Sequence, residues 1–236
     1  MKERIFRFKK FQVKNELSAM KVGTDGVLLG AWANVDGAGR ILDVGTGCGV
    51  IALMMAQRNP QAVIDAIDID GGAVEESAEN FRNSEWGSRL SAKLIDYKDF
   101  TPTHKYDLVI SNPPYFSNGV LPKGAERTIA RHDNMLSISD LLFKSVQILT
   151  ASGILSIITP VESENEVMEQ ASECSLYPVR ISRVSGTVNG EPKRILWEFS
   201  KLQPERIIET SFAIEFSPLN YTPQYIELTK DFYLKM

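Results

Sequence analysis

The chain has 236 residues, 43% of them hydrophobic and 24% charged, and its net charge is −4. These values are ordinary for a globular protein with one sizeable core and argue against a uniformly basic nucleic-acid-binding protein. No apolar run approaches the roughly 20 residues of a membrane-spanning helix, and the charged amino-terminal stretch lacks the apolar core of a signal peptide. The two cysteines and two histidines show neither a disulfide framework nor metal-ligand spacing. We therefore expect no bound metal, no membrane association, and a cytoplasmic location with reduced thiols.

Strand-like apolar runs alternate with helix-like segments along most of the chain. Hydrophobic patterning predicts a helix over 27–33, strands over 40–45, 62–70, 90–96 and 106–111, and helices over 50–58 and 73–83. It then predicts a helix over 137–149 capped by Ser137, a strand over 154–160, a helix over 164–175, and two or three strands plus an amphipathic helix over 178–236. This alternation predicts an α/β fold with a parallel sheet and helices on both faces.

Parallel strands end at a common edge of the sheet, and the first loop expected there is rich in glycine. It reads Asp43-Val-Gly45-Thr-Gly47-Cys-Gly49, and glycines let the backbone approach a ligand at a helix start. The spacing departs from the dinucleotide fingerprint Gly-x-Gly-x-x-Gly, and no P-loop lysine follows. About twenty residues on, Asp68 ends the second strand, where a carboxylate accepts hydrogen bonds from ribose hydroxyls. A ligand with an adenosine ribose but no diphosphate is indicated, and S-adenosylmethionine fits.

Three further carboxylates near this edge have a ligand-binding and a local interpretation. Asp43 faces the sulfonium or amino group of the ligand, or it caps N–H groups of the turn. Asp96, after the third strand, accepts the adenine amino group with Tyr97 beside the ring, or both are surface turn residues. For Asp70 we favour a helix cap.

The fourth strand ends at Asn112-Pro113-Pro114-Tyr115. Two prolines stop a strand or helix, because neither has an N–H and both fix φ. An exocyclic amine is a poor nucleophile, and two acceptors on its N–H bonds expose its lone pair. The Asn112 side-chain oxygen and the Pro113 carbonyl are suited to this role, and Tyr115 offers a face on which a flipped-out base stacks. With the glycine loop, the motif indicates an amino-directed methyltransferase whose rate depends on positioning.

The glycine loop Gly45–Gly49, Asp68 and the segment Asn112–Tyr115 together resemble the corresponding motifs of class I S-adenosylmethionine-dependent N-methyltransferases. The opening "FRFKKFQVKNELSAMKVGTDGVLLGAWA", Ala130-Arg131 and the terminal "DFYL" are similar to the bacterial family that methylates N6 of the adenine 3′ of the anticodon in valine tRNA. The resemblance covers nearly the whole chain. It implies S-adenosylmethionine as cofactor, tRNA as substrate, and a Rossmann-like fold whose mostly parallel sheet has seven strands.

The resemblance also implies one domain, 1–236, in which an extension over 1–35 covers the cofactor cleft of a catalytic core over 36–236 with C-terminal strands and a helix. The segment 21–26, which begins at Lys21, would then fold over the cofactor, with Thr24 and Asp25 near its methionine tail. A glycine-rich turn leading into the helix over 27–33 is the alternative. The sequence leaves the oligomeric state open, and we favour a monomer.

Basic residues cluster in two places that suit phosphate binding. We predict RNA contacts for a set of cations in the first fourteen residues and after Tyr115: Lys9, Lys10, Lys123, Arg127 and Arg131. Solvated surface charge is the alternative. For Phe6 and Phe8, between the first cations, we favour packing over base stacking, whereas Phe11 and Trp32 suit core or cleft equally.

Methylation of adenine N6 in tRNA is the preferred function. The same chemistry on another amine is the nearest alternative: guanine N2 in ribosomal RNA, adenine in DNA, or a protein glutamine. A non-catalytic RNA-binding protein is disfavoured by the intact Asn112 and Tyr115. A nicotinamide-dependent oxidoreductase is disfavoured by the glycine spacing.

Overall fold

The structure is a computed structural model that describes residues 5–114 and 136–236. Four residues with predicted roles, Tyr115, Lys123, Arg127 and Arg131, lie outside the described residues. Within the two ranges, none of the helices combines the length and the apolar character needed to cross a lipid bilayer.

The described strands form one large sheet and one small hairpin. The hairpin pairs β1 (Ile5–Arg7) with β2 (Gln12–Lys14). The strands of the large sheet are, in chain order, β3 (Arg40–Val44), β4 (Val63–Asp68), β5 (Leu90–Leu94), β6 (Tyr106–Ser111), β7 (Leu149–Pro160), β8 (Tyr177–Thr187), β9 (Pro192–Ser200), β10 (Ile208–Ser217) and β11 (Asn220–Tyr221). Their spatial order is β11-β10-β8-β9-β7-β6-β3-β4-β5.

The sheet is mostly parallel, as predicted, but larger than predicted. Strands β7, β6, β3, β4 and β5 are parallel neighbours, and β9 runs antiparallel to both β7 and β8. The predicted count of seven strands is wrong, because nine strands of the described residues form this sheet. The excess lies in the C-terminal part, where β10 pairs parallel with β8 and β11 folds back on β10.

Helices lie on both faces of the sheet. In chain order the α-helices of the described ranges are α1 (Thr24–Trp32), α2 (Val50–Arg58), α3 (Gly71–Arg82), α4 (Ile138–Ile148), α5 (Glu164–Glu173) and α6 (Pro223–Thr229). Two predicted caps are confirmed: Asp70 accepts the Gly72 N–H at 2.8 Å, and Ser137 accepts the Asp140 N–H at 3.0 Å. Each satisfies one of the N–H groups that a helix start leaves without an intrahelical partner.

The core forms two layers, one on each face of the sheet. Successive strand residues point to opposite faces, so Ile41 of β3 joins the layer of α1, α2 and α3, whereas Leu42 joins that of α4 and α5. Both side chains are fully buried. Because both faces are covered, the central strands β3 and β6 are buried along nearly their whole length rather than at alternate residues.

The aromatic residues of the amino-terminal hairpin pack on the carboxyl terminus. The Phe8 ring stacks on Phe11 at 4.5 Å and on Tyr233 at 6.0 Å, and it lies 4.8 Å from the Phe6 ring. Packing of Phe6 and Phe8, which we favoured, is therefore what the structure shows. Phe11 and Trp32 are also buried in the core, each 8% exposed.

The Lys9 side chain is engaged by the same carboxyl terminus. Its Nζ donates to the backbone oxygens of Lys230 at 2.5 Å and of Met236, the last residue, at 2.9 Å. We predicted that the Lys9 ammonium group binds an RNA phosphate; here it donates to two backbone oxygens of the protein, because the hairpin packs on the end of the chain. Lys10 is exposed beside it.

Candidate functional site

The glycine loop and Asn112 leave the sheet side by side. In the parallel pair of β3 and β6, Val44 lies opposite Ser111, and the Ser111 hydroxyl donates to the Val44 carbonyl at 2.8 Å. Neighbouring strands are only about 4.8 Å apart. The residues that follow, Gly45 and Asn112, therefore emerge at the same level of the carboxyl edge, and no other strand lies between them.

Three glycines of the loop adopt backbone conformations that other residues avoid. Gly45, Gly47 and Gly49 have φ values of +70°, +54° and +82°, all in the left-handed region. A Cβ at Gly49 would lie 2.5 Å from the Phe81 ring, whereas a Cβ at Gly45 or Gly47 would meet nothing within 4 Å. Gly49 thus allows α3 to pack closely, and the other two leave an open face above the loop.

Several backbone N–H groups of the loop donate hydrogen bonds to acceptors within the protein. Gly45 and Thr46 both donate to the Ile67 carbonyl, at 2.9 and 3.0 Å, and Gly49 donates to that of Thr46 at 2.8 Å. Gly47 donates to Asp68 Oδ2 at 2.9 Å. Phosphate-binding loops present such N–H groups to their ligand, so this loop is not built as a diphosphate cradle.

Asp68 accepts hydrogen bonds from two backbone segments at this edge of the sheet, and its side chain is partly exposed. Besides Gly47, its carboxylate accepts the Asp70 N–H at 2.9 Å through Oδ1. Each carboxylate oxygen can accept more than one hydrogen bond. Asp68 therefore keeps acceptor capacity for ligand hydroxyl groups while it positions the glycine loop.

Asp43 lies beneath the loop rather than on its open face. Its side chain is fully buried; Oδ2 accepts the Thr46 hydroxyl at 2.7 Å, and Oδ1 has no hydrogen-bond partner of normal geometry among the described residues. Burial raises the pKa of this carboxyl to about 7, Thr46 and the Ala52 N–H offset part of the rise, and the charge of Asp68 adds to it. Asp43 exposes no surface, and its direct contact with a ligand stays a prediction. Its Thr46 partner is a hydroxyl group rather than one of the turn N–H groups named in the local interpretation.

Of the two residues proposed after β5, only Asp96 remains at the edge. Asp96 is partly exposed, and its Oδ1 accepts the Lys98 N–H at 2.9 Å. Tyr97 is 4% exposed, with its hydroxyl 2.9 Å from Ser145 Oγ of α4, and burial raises its pKa. The prediction of Tyr97 beside an adenine ring is wrong in this structure, because the side chain fills the core layer under α4.

The segment before α1 is held by its own side chains. Lys21 is exposed, and its Nζ donates to the carbonyls of Glu16 and Ser18 at 3.0 and 2.9 Å. Thr24 is exposed at the start of α1. Asp25 accepts Arg194 Nε at 2.8 Å, which ties α1 to the start of β9.

Sequence reasoning missed two buried polar residues of α3, Glu76 and Asn80. The Glu76 carboxylate accepts hydrogen bonds from the backbone N–H groups of residues 16–18. The Asn80 side chain accepts from the Lys14 N–H and donates to the Lys14 carbonyl. A signal was present, because a buried helix stripe follows i, i+3, i+4 and i+7 spacing. In α3 that stripe begins at Ala73 and reads Ala-Glu-Ser-Asn, so polar residues occupy core positions and require partners.

Comparison with known proteins agrees with this geometry. Residues 18–170 match the family described as methyltransferase small domain. The chain is 42% identical over 235 residues to a tRNA1(Val) (adenine(37)-N6)-methyltransferase of Flavobacterium johnsoniae, with 98% of this chain and 100% of the relative covered. It is 41% identical over 241 residues to one of Christiangramia forsetii, with both chains fully covered.

A solved structure supports the fold alone. It is that of a predicted O-methyltransferase from Agrobacterium tumefaciens, with a TM-score of 0.67 and 20% identity over 88% of this chain and 96% of that one. The sheet, the glycine loop after β3, the carboxylate after β4 and the Asn-Pro-Pro segment after β6 define a Rossmann-like class I methyltransferase. Within that class, the chain belongs to the family of tRNA1(Val) (adenine(37)-N6)-methyltransferases.

Proposed function

We propose that this protein transfers a methyl group from S-adenosylmethionine to N6 of adenine 37 in tRNA1(Val), the activity for which its relatives are named. One observation carries the proposal: the pairing of Val44 with Ser111 brings the cofactor-type glycine loop next to an Asn-Pro-Pro segment. A methyl acceptor and a methyl donor can then meet without any movement of the sheet.

The residues at this edge fit S-adenosylmethionine better than a dinucleotide. The face above Gly45 and Gly47 is open, Asp68 offers acceptors for ribose hydroxyls, and Asp96 offers one for an adenine amino group. The loop N–H groups of 45, 46, 47 and 49 are already used within the protein, which suits a ligand without a diphosphate. When bound, the cofactor supplies an electrophilic methyl carbon on its sulfonium.

The Asn-Pro-Pro segment supplies two fixed acceptors for the target amine. Asn112 is partly exposed, Pro113 is buried and Pro114 is exposed, so the proline rings restrain a segment that is anchored on its sheet side. The Asn112 side-chain oxygen and the Pro113 carbonyl would each accept one N–H of the adenine amine, which exposes the nitrogen lone pair toward the methyl group. This arrangement needs no strong base, because preorganised acceptors stabilise the charge that develops on the amine. Tyr115 would stack on the flipped base.

Basic residues would hold the tRNA by its phosphates. We assign this role to Lys10, Lys123, Arg127 and Arg131, and a smaller one to Lys9, whose ammonium group donates to two backbone oxygens of the protein. Charge reversal at Arg127 or Arg131 should weaken tRNA binding and reduce the slope of log K against log [salt] by about one. Lys9→Ala should reduce that slope by less than either arginine variant does. An unchanged slope in the arginine variants would remove them from the footprint.

The activity is tested by offering labelled S-adenosylmethionine to total tRNA, total ribosomal RNA, DNA and total protein side by side. We expect label in tRNA alone, recovered as N6-methyladenosine after nucleoside analysis. A tRNA1(Val) transcript with guanine at position 37 is the matched control and should accept no label. Label in another pool, or in that control, would contradict the assignment. Such a substrate also suits a cytoplasmic enzyme, which we propose acts as a monomer.

A further inference from the structure

The segment 15–23, here called the strap, crosses the carboxyl edge of the sheet. At one end, Asn80 of α3 accepts the Lys14 N–H at 2.8 Å and donates to the carbonyls of Lys14 and Cys48 at 2.9 and 2.8 Å. At the other end, the strap enters α1, whose Gly26 packs against Val50 at the start of α2. Cys48 is near the end of the glycine loop and Val50 follows it, so the strap passes from α3 to α1 beside the end of that loop.

Glu76 of α3 holds the middle of the strap. Its carboxylate accepts three successive backbone N–H groups, those of Glu16, Leu17 and Ser18; the Leu17 and Ser18 distances are 2.8 and 3.0 Å. The Glu76 side chain is fully buried. Burial alone would raise the pKa of this carboxyl, but the three N–H groups outweigh it and leave the pKa below its ordinary value.

A buried carboxylate is costly unless its oxygens are satisfied, and here the strap satisfies them. The hydrogen bonds are charge-assisted, which makes each stronger than a neutral one. They determine the path of the strap. They also bring Leu17 to the start of α3, where its Cβ lies 3.5 Å from the position of a Cβ on Gly72. Leu17 remains 52% exposed there, close to the Asp68–Asp70 corner.

We propose that Glu76 is a positioning residue for the cofactor site: by gripping the N–H groups of 16–18, it holds the strap over the glycine loop before the cofactor binds. The inference rests on the proposed function, since it assigns the strap to the S-adenosylmethionine cleft. Binding is tighter when a covering segment is already ordered, because its ordering entropy is not lost on binding. Loss of these hydrogen bonds should therefore weaken cofactor binding without altering the Asn112 segment that follows β6.

The test is Glu76→Gln, which keeps the shape but replaces one acceptor oxygen with an NH2 that opposes an N–H donor. Affinity for S-adenosylhomocysteine is measured by calorimetry, and hydrogen exchange is measured at the amides of 16–18. Glu75→Gln, on the exposed face of the same helix, is the control for charge. Val167→Ala, buried in the opposite core layer, is the control for lost stability.

We expect Glu76→Gln to weaken S-adenosylhomocysteine binding by about tenfold or more, the equivalent of one charge-assisted hydrogen bond. The amides of 16–18 should exchange faster, and both controls should bind as the wild type does. An unchanged affinity, or an equal loss in Val167→Ala, would overturn the inference. If the glutamine variant does not fold, hydrogen exchange at the amides of 16–18 is measured in the wild-type protein without ligand. Slow exchange would support the hydrogen bonds to Glu76 as the restraint on the strap, and fast exchange would overturn the inference.

The two proposals fail separately. If the wild type binds S-adenosylhomocysteine but does not methylate tRNA, the proposed substrate is wrong and the role of Glu76 stands. If it does not bind that ligand at all, both are wrong.

Discussion

The Ser111 hydroxyl donates to the Val44 carbonyl at 2.8 Å and so joins the ends of two strands whose following loops form the site. Both residues are buried. We expect Ser111→Ala to lower the free energy of unfolding by about 1 kcal/mol, since one buried hydrogen bond is lost, and to lower kcat roughly tenfold through misalignment. Urea titration and steady-state kinetics check both values.

Ser156 of β7 is the matched control for that substitution. It is a fully buried serine of the same sheet, and its Oγ has no hydrogen-bond partner within the described ranges. Ser156→Ala should therefore leave kcat unchanged and stability equal or slightly higher. Equal losses of kcat in the two variants would show that the strand-end contact has no special role.

Asn112→Ala tests the amine-gripping role. We expect S-adenosylhomocysteine affinity to stay within about twofold of the wild type while kcat falls by about 10²-fold or more, because the lost acceptor acts only on the reacting amine. Calorimetry and single-turnover methylation separate the two effects. Asn83→Ala, an exposed asparagine at the end of α3, is the control and should methylate normally. Comparable turnover in Asn112→Ala would remove the assigned role.

Asp43 should make stability depend on pH in an unusual direction. Burial raises the pKa of its carboxyl to about 7 from an ordinary value of 3.8, so the folded protein retains a proton that the unfolded chain has lost. Between these two values the free energy of unfolding should fall as pH rises, and above pH 7 the contribution should be constant. The full effect is on the order of 4 kcal/mol.

Asp43→Asn should remove that dependence while its amide oxygen still accepts from Thr46. We expect the variant to gain stability relative to the wild type from about pH 4 to about pH 7 in urea titrations without ligand. Asp36→Asn, at an exposed carboxylate, should follow the wild type throughout. A constant difference between Asp43→Asn and wild type across this window would contradict the assigned pKa.

Two glycines of one loop should respond differently to alanine. Gly49→Ala combines a left-handed φ with a Cβ 2.5 Å from the Phe81 ring, so we expect a loss of about 3 kcal/mol or more. Gly45→Ala has the strained φ but open space and should cost about 1 kcal/mol. It should nevertheless weaken S-adenosylhomocysteine binding, because its methyl group enters the face proposed for the cofactor. Equal thermal shifts with normal binding in both variants would contradict this distinction.

Local rules were enough to predict much of the edge that carries the site. The bounds of α2 and β6 agree with those predicted from patterning, and Asp70 and Ser137 cap the helices they were predicted to cap. Each feature depends on a few neighbouring residues: the period of apolar side chains, the φ freedom of glycine, or the missing N–H of proline. Such interactions involve residues that are only a few positions apart, so they can be predicted from a short stretch of sequence.

Tertiary structure decided which side chains reach the cleft. The Tyr97 side chain lies in the core, where its hydroxyl is hydrogen-bonded to Ser145, 48 positions away. The Lys9 side chain donates to backbone oxygens at the end of the chain. Glu76 gained its role from a segment about 60 positions earlier. The sequence by itself determined the α/β class, the loops of the site and the family, since these depend on local backbone preference and on residue identity. The orientation of Tyr97, Lys9 and Glu76 depended on contacts between distant segments, which exist only once the sheet and its two core layers have formed.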